Sequence, residues 1–364
     1  MSEKSQKTIC FFNSNRAWGG GEKWHFTTAR EFQHRGYRTF LVANIDSELA
    51  RKAKQEKLSC FTFYVHNLSF LNPFKILFLV SYFKKNNVHT IIMNLPSDLK
   101  LAGLAARLCG VKNIIYRRGM PHPLRASFLN KFLFKHVLTH IIINSEEIGR
   151  SLISGNESWF PQNKMVLIHN GVDTKLPLPP VKKLYQKTND EVVLGNAGRL
   201  TGQKGQKYLI LMAEILKKQH LKFKLLIAGE GELRLELQKQ IDQLGLQNEV
   251  TLLGHVQDMS SFMNSLDVFV FPSLFEGSAN TLIETLHHKV PSVAFNISSN
   301  PEIIEHGVNG LLAKPFDVSD LAYQVTKLIH SAELRENFIK KGSEVVREKF
   351  DSRKNLEKLK FIIG

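Results

Sequence analysis

Residues 192–218 read Val-Val-Leu-Gly-Asn-Ala, then Gly-Arg-Leu-Thr-Gly-Gln-Lys-Gly, then Gln-Lys-Tyr-Leu-Ile-Leu-Met-Ala-Glu-Ile-Leu-Lys-Lys. An apolar run of strand length passes into a glycine-bearing polar loop and then into a helical segment from about Gln206 to Lys218. The same order returns at Val268 to Phe271, followed by Pro272 to Glu284 and a helix, and at Ile9 to Asn13, followed by Asn15 to Glu22 and a helix from about Lys23 to Arg35. Seven strand candidates lie between Ile9 and His169, among them Ser59 to Val65, and six between Val192 and Ala313, among them Ser292 to Phe295, each separated from the next by a longer segment. Parallel strands require crossover connections, commonly helices, so the alternation predicts an α/β fold of two tandem Rossmann-like domains. Such sheets bind ligands where strand carboxyl ends pass into helix N-termini, which makes these loops the places to look for chemistry. The tail from Ala332 to Ile362 reads as two further helices.

A chain of 364 residues with 43% hydrophobic and 23% charged residues is neither disordered nor fibrous. Cys10, Cys60 and Cys109 are scattered, without zinc-ligand or CxxC spacing, which suits a reducing compartment. No export signal is read in the polar start, and the most apolar stretch, Phe74 to Phe83, is about half the roughly 20 residues of a bilayer span. Pro177, Pro179 and Pro180 mark a stiff linker. The expected division is therefore a first domain over 1–178, a linker over 179–188, a second domain over 189–345 and a final helical segment over 346–364. Charge divides with it. Residues 1–180 hold 25 Lys+Arg against 11 Asp+Glu, net +14, whereas residues 181–364 hold 24 against 22, net +2.

Three loops carry the candidate chemistry. Gly19, Gly20 and Gly21 let backbone approach a ligand closely, although they equally suit a tight strand-to-helix turn and do not form GxGxxG. In the second domain Arg199 and Lys204 flank the turn that begins at Gly198, where two cations suit a diphosphate. Solvated loop charge is the alternative. The third loop sets Glu276 and Glu284 eight residues apart, with the amides of Gly277, Ser278, Ala279, Asn280 and Thr281 between them at a helix start suited to phosphate. Thr281-Leu282-Ile283-Glu284 also fits a capping box, which would leave Glu284 a helix-closing role.

Taken in order, these pieces resemble retaining GT-B glycosyltransferases of the family 4 type, known from bacterial envelope polysaccharide and lipopolysaccharide synthesis. The resemblance rests on Gly19-Gly20-Gly21-Glu22, Ile168-His169-Asn170-Gly171-Val172-Asp173, Gly198-Arg199-Leu200 with Lys204-Gly205, and Ile227-Ala228-Gly229-Glu230-Gly231. It continues through Val250 to Gly254, Phe271-Pro272-Ser273 with the Glu276/Glu284 pair, and Asn309-Gly310-Leu311-Leu312. It implies two Rossmann-like domains facing across a cleft, with the second binding a nucleotide-diphosphate-sugar donor and the first an acceptor. Under it, Arg199 and Lys204 hold the donor diphosphate, Glu276 meets the sugar hydroxyls and Glu284 the ribose. Gly19 to Gly21 border sugar and acceptor, Gly229 and Gly254 flank the nucleotide, and the last helix crosses back to the first domain.

No Asp-x-Asp triplet occurs, so the expectation is a reaction without a metal or other cofactor, the two cations serving instead. Where the family often has a His near the donor sugar in the first domain, this chain has Arg117-Arg118, with His122 beyond, which reads as an Arg taking over that polar contact, as contact with a negatively charged acceptor, or as an anchoring ion pair. The cationic, apolar stretches Pro73 to Lys85 and Pro123 to His136 read either as ordinary covering helices or as contacts with an anionic membrane. With the +14 of the first half, they predict a cytoplasmic enzyme peripheral to the inner face of the cytoplasmic membrane, with a glycan or lipid-linked acceptor. Nucleic acid is not expected, because aromatic residues do not interleave with the basic ones in any known pattern. The rival readings are a sugar-nucleotide epimerase and a non-catalytic nucleotide-sugar-binding subunit.

Overall fold

The computed structural model describes residues 7–178, 182–188 and 190–364. The chain forms two compact units, one of residues 1–169 with 356–364 and one of residues 170–355. The first unit holds seven strands: β1 (Thr8–Asn13), β2 (Arg38–Ala43), β3 (Cys60–Thr62), β4 (Val88–Met93), β5 (Asn113–Arg118), β6 (His140–Ile143) and β7 (Met165–Leu167). The second holds β8 (Val192–Ala197), β9 (Phe223–Ala228), β10 (Val250–Gly254), β11 (Val268–Phe271), β12 (Ser292–Phe295) and β13 (Leu311–Ala313). Every pairing between neighbours is parallel, in the orders β3-β2-β1-β4-β5-β6-β7 and β10-β9-β8-β11-β12-β13. Each sheet reverses its winding beside its first strand, between β1 and β4 and between β8 and β11, and the crevice at such a switch point is where these sheets bind ligands.

The strands are largely apolar because both faces of each sheet are covered. Successive side chains of a strand point to opposite faces. Cys10 and Phe12 accordingly enter one core and Ile9 and Phe11 the other. In β11, Val268 and Val270 part from Phe269 and Phe271 in the same way. The two tail helices span Ala332–Lys349 and Ser352–Ile363. Leu356, Leu359 and Ile363 join the core of the first unit, and the Asn113 side-chain amide donates to the Ile363 carbonyl at 2.9 Å.

The units divide elsewhere than the prolines indicate. Past His169, Val172 forms a parallel bridge with Asp351, and the Thr174 hydroxyl donates to the Asp351 carboxylate, so 170–178 is fastened to the second unit. Val346 and Phe350 also lie in that unit's core, which moves the return of the chain from 346 to 356. Pro179, Pro180 and Val181 of the expected linker lie outside the described residues. Leu184 and Tyr185 donate their amides to the Ser265 hydroxyl at 2.8 and 3.0 Å, which ties the end of that segment to the second unit as well.

Candidate functional site

In the second unit the loops leaving β8 and β11 meet at the switch point. Gly205 has φ +66°, and a Cβ there would lie 2.2 Å from the Pro272 carbonyl oxygen, so glycine is what allows the loops to close up. The Leu274 amide donates to the Gln203 carbonyl and the Gln203 side-chain amide to the Phe275 carbonyl, both at 2.8 Å. This contact brings Lys204 Nζ to 2.6 Å from Glu276 Oε1, with only 16% and 10% of the two side chains exposed. The Ser273 hydroxyl donates to the same carboxylate oxygen at 2.7 Å, and Lys204 also lies 5.6 Å above the Phe271 ring centroid. The Glu276 backbone is held by the loop after β12, since its amide donates to the Ser298 hydroxyl and that hydroxyl donates to its carbonyl.

Gly198, Gly229 and Gly254, far apart in sequence, stand side by side. The Gly198 amide donates to the Ala228 carbonyl at 3.0 Å and the Gly229 amide to the Gly254 carbonyl at 2.8 Å. Arg199, on the Gly198 loop, exposes its side chain, while its carbonyl accepts from the Gln206 side chain at 3.0 Å. The helix after the third loop spans Asn280–His287, and its N-cap, Ala279, has no side-chain acceptor. The capping box therefore does not form. Thr281 already sits inside the helix, so Glu284 lies beyond the first turn and is half-buried. Asn280 Oδ1 accepts from Asn170 at 2.9 Å and from the Ser278 hydroxyl at 3.3 Å, which turns the Gly277–Ser278 segment over the helix start.

In the first unit the glycine loop is shorter than expected. The helix runs Gly20–His34 with Gly19 as its N-cap, so Gly20 and Gly21 belong to its first turn. Burial of Glu22 explains the early start. Its carboxylate accepts from the side chains of Asn13 and Asn94, both at 3.2 Å, at the ends of the switch-point strands. A Cβ on Gly21 would lie 2.8 Å from the Asn94 amide nitrogen, so glycine admits that side chain. Arg117 is 1% exposed, with its guanidinium 4.5 Å from the Trp24 ring centroid. Burial lowers its pKa to about 10, opposed by the charge of Glu22. Arg118 is half-buried and donates to the Tyr116 hydroxyl at 3.1 Å and to the carbonyl of the exposed His122 at 2.9 Å. Of the three residues assigned to an anionic acceptor, Arg117 is thus closed off from solvent. Asp98 is fully buried, accepting from the Ser14 hydroxyl and the Leu95 amide, and burial raises its pKa to about 7.

Sequence reasoning passed over His25. It is fully buried edge-on to Phe11 and Trp24, and among the described residues neither ring nitrogen has a hydrogen-bond partner. Desolvation first, and Arg117 second, push its pKa well below the ordinary value. The native ring stays neutral, whereas an unfolded histidine takes up a proton near pH 6.5. Stability is therefore lost as pH falls below that value, where the unfolded chain binds the extra proton. His25→Phe is expected to flatten this acid-side loss, read as melting temperatures from about pH 8 to about pH 5. An unchanged pH profile would refute the assignment. Ser273 and Ser298 were missed too. The hydroxyl of Ser273 was visible in Phe271-Pro272-Ser273, but only the fold shows that it reaches Glu276.

Glycine-relieved loops, a paired cation and carboxylate, and a helix start without a side-chain cap thus gather at the switch point of a parallel sheet, where α/β proteins of this class bind ligands. Residues 181–345 match the family described as "Glycosyl transferases group 1" and residues 18–176 match "Glycosyltransferase Family 4". The chain belongs to the GT-B glycosyltransferases of the family 4 type. It is 31% identical to an uncharacterized glycosyltransferase of Methanocaldococcus jannaschii over 64% of this chain and 65% of that protein. It is also 31% identical to the capsular polysaccharide biosynthesis glycosyltransferase CapM of Staphylococcus aureus, over 59% of this chain and 58% of CapM. The alignments thus span less than two thirds of these relatives. Anabaena HepE, solved in complex with UDP, has the same fold, with a TM-score of 0.82 at 20% identity over 97% of this chain and 98% of HepE.

Proposed function

We propose that the protein is a retaining, metal-independent glycosyltransferase that moves a sugar from a nucleotide-diphosphate sugar to a glycan or lipid-linked acceptor in envelope polysaccharide or lipopolysaccharide synthesis. The observation that carries this reading is the pairing of Lys204 with Glu276 at the switch point of the second sheet. Lys204 and Arg199 stabilise the charge that develops on the departing diphosphate, Glu276 accepts from the donor sugar's hydroxyls, and Glu284 accepts from the ribose. The bond from the anomeric carbon to phosphate oxygen breaks while the acceptor oxygen bonds that carbon on the same face, and the acceptor's proton passes to the leaving phosphate. HepE with UDP or UDP-glucose and CapM in capsular polysaccharide synthesis support the donor and product classes.

A screen of UDP-, GDP- and ADP-sugars for thermal stabilisation tests the donor assignment, since a ligand of the native state raises the melting temperature by mass action. One nucleotide class is expected to stabilise the protein, transfer is expected to continue in EDTA, and the product's anomeric configuration is expected to equal the donor's. Activity lost in EDTA and restored by magnesium would refute metal independence.

The acceptor is proposed to be presented at an anionic membrane surface, with the enzyme peripheral on its cytoplasmic side. Residues 57–145 hold twelve Lys+Arg and a single acid, the buried Asp98. Helix Pro73–Lys85 buries Leu79 and Phe83 but leaves Phe74 79% and Leu77 62% exposed, and Phe128, beside Arg125 and Lys131, is 86% exposed. No helix among the described residues is long and apolar enough to cross a membrane. Cosedimentation with phosphatidylglycerol vesicles is expected to weaken with salt and with Phe74→Ser/Leu77→Ser. Binding indifferent to both, or none, counts against the surface.

A further inference from the structure

The residues assigned to the two ends of the donor hold each other. Lys204 Nζ and Glu276 Oε1 are 2.6 Å apart in a largely shielded setting. The pairing is built in from both sides. Ser273 donates to the same carboxylate oxygen, Ser298 grips the Glu276 backbone, and Gln203 ties the lysine's loop to the carboxylate's loop through two hydrogen bonds. A diphosphate that binds Lys204 therefore meets a carboxylate already held by that ammonium.

Resting on the donor assignment above, we propose that Glu276 competes with the diphosphate for Lys204, and that this competition makes the site select sugar-bearing diphosphates over free ones. Donor sugar hydroxyls give the carboxylate new partners as the lysine turns to phosphate, so a sugar-bearing ligand replaces both halves of the ion pair. A free nucleoside diphosphate replaces one half and leaves the carboxylate with Ser273 but no counter-charge, and a shielded carboxylate without a counter-charge is costly. After transfer the sugar is gone, Glu276 recaptures Lys204, and the spent diphosphate is released. Discrimination of this kind comes from penalising the wrong ligand as well as from attracting the right one. Glu276 is then a determinant of product release as well as a sugar contact.

Isothermal titration with UDP, GDP and ADP tests this, using whichever diphosphate the wild-type chain binds. Glu276→Gln keeps an acceptor for Ser273 but removes the charge, and is expected to bind that diphosphate about tenfold more tightly. In steady state its inhibition constant for the diphosphate falls while its KM for the diphosphate sugar rises. In a Lys204→Met background the same Glu276→Gln change is expected to leave diphosphate affinity unaltered, because no ammonium remains to be freed. A gain that persists in that background is simple repulsion by the carboxylate and overturns the proposal, as does unchanged or weaker binding by Glu276→Gln alone. If Lys204→Met weakens diphosphate binding but Glu276→Gln brings no gain, the competition fails and the donor assignment stands. If no diphosphate binds any correctly melting variant, both fail.

Discussion

Replacing Lys204 with alanine is expected to lower kcat by on the order of 10²–10³-fold, the usual consequence of removing one preorganised group from a developing negative charge. Under the proposed function the departing diphosphate gains charge in the transition state, and Lys204 is a shielded cation at the switch point. Shielding strengthens its effect on that charge, because water does not screen the ammonium as it would an exposed lysine. Arg199 remains in the variant, but it is exposed and contributes through more solvent. The loss should fall mainly on kcat, with a smaller rise in KM, because the interaction grows as the bond to phosphate breaks. Steady-state kinetics at saturating donor, with the melting temperature as a control for folding, measures this. A kcat within a few-fold of wild type would remove Lys204 from the chemistry.

Gly229→Ala is expected to destabilise the second unit by at least about 3 kcal/mol and to abolish donor binding. Gly229 has φ +141°, a conformation closed to alanine, and an added Cβ would lie 1.9 Å from the Gly198 carbonyl oxygen. That oxygen is backbone, and the loops on either side are pinned by the Gly198–Ala228 and Gly229–Gly254 hydrogen bonds, so relief requires the whole Gly198–Arg199 turn to move. Gly202→Ala is the control. It has no positive φ and nothing within 4 Å of its Cβ position, and should change stability by less than about 0.5 kcal/mol. Denaturant unfolding of the two variants compares them directly, and equal losses would mean that the close approach at Gly229 does not constrain the loop.

The strand, loop and helix order was legible because burial on both faces makes each strand a continuous apolar run. Val192–Ala197, Val268–Phe271 and Ser292–Phe295 coincide with the observed strands residue for residue. Strands at a sheet edge were read less well. Ser59 to Val65 shrinks to Cys60–Thr62, because an edge strand pairs on one side only and its apolar residues extend past the pairing. The helix at Gly20 was misplaced for a different reason. Glycine argues for a loop by local propensity, but the amides of Asn13 and Asn94, contributed by two strands, hold Glu22 in the first turn. Thr281 failed as a cap in the same manner, since the helix start is set by the turn over Ala279 and Asn280.

Composition and periodicity by themselves determined that the chain is α/β, that its charge gathers in the first half, and which loops hold cations, carboxylates and glycines, because all of these are properties of residue type and local spacing. Which of those groups touch was decided only by tertiary structure. Lys204 and Glu276 are separated by three strands and their connections, and they meet because β8 and β11 are neighbours in the sheet while distant in the chain. The same long-range packing seals Arg117 over Trp24 and hides His25, and it sets the unit boundary at His169 through a bridge to Asp351. A contact across such a separation depends on strand order and burial, which no local window of residues contains.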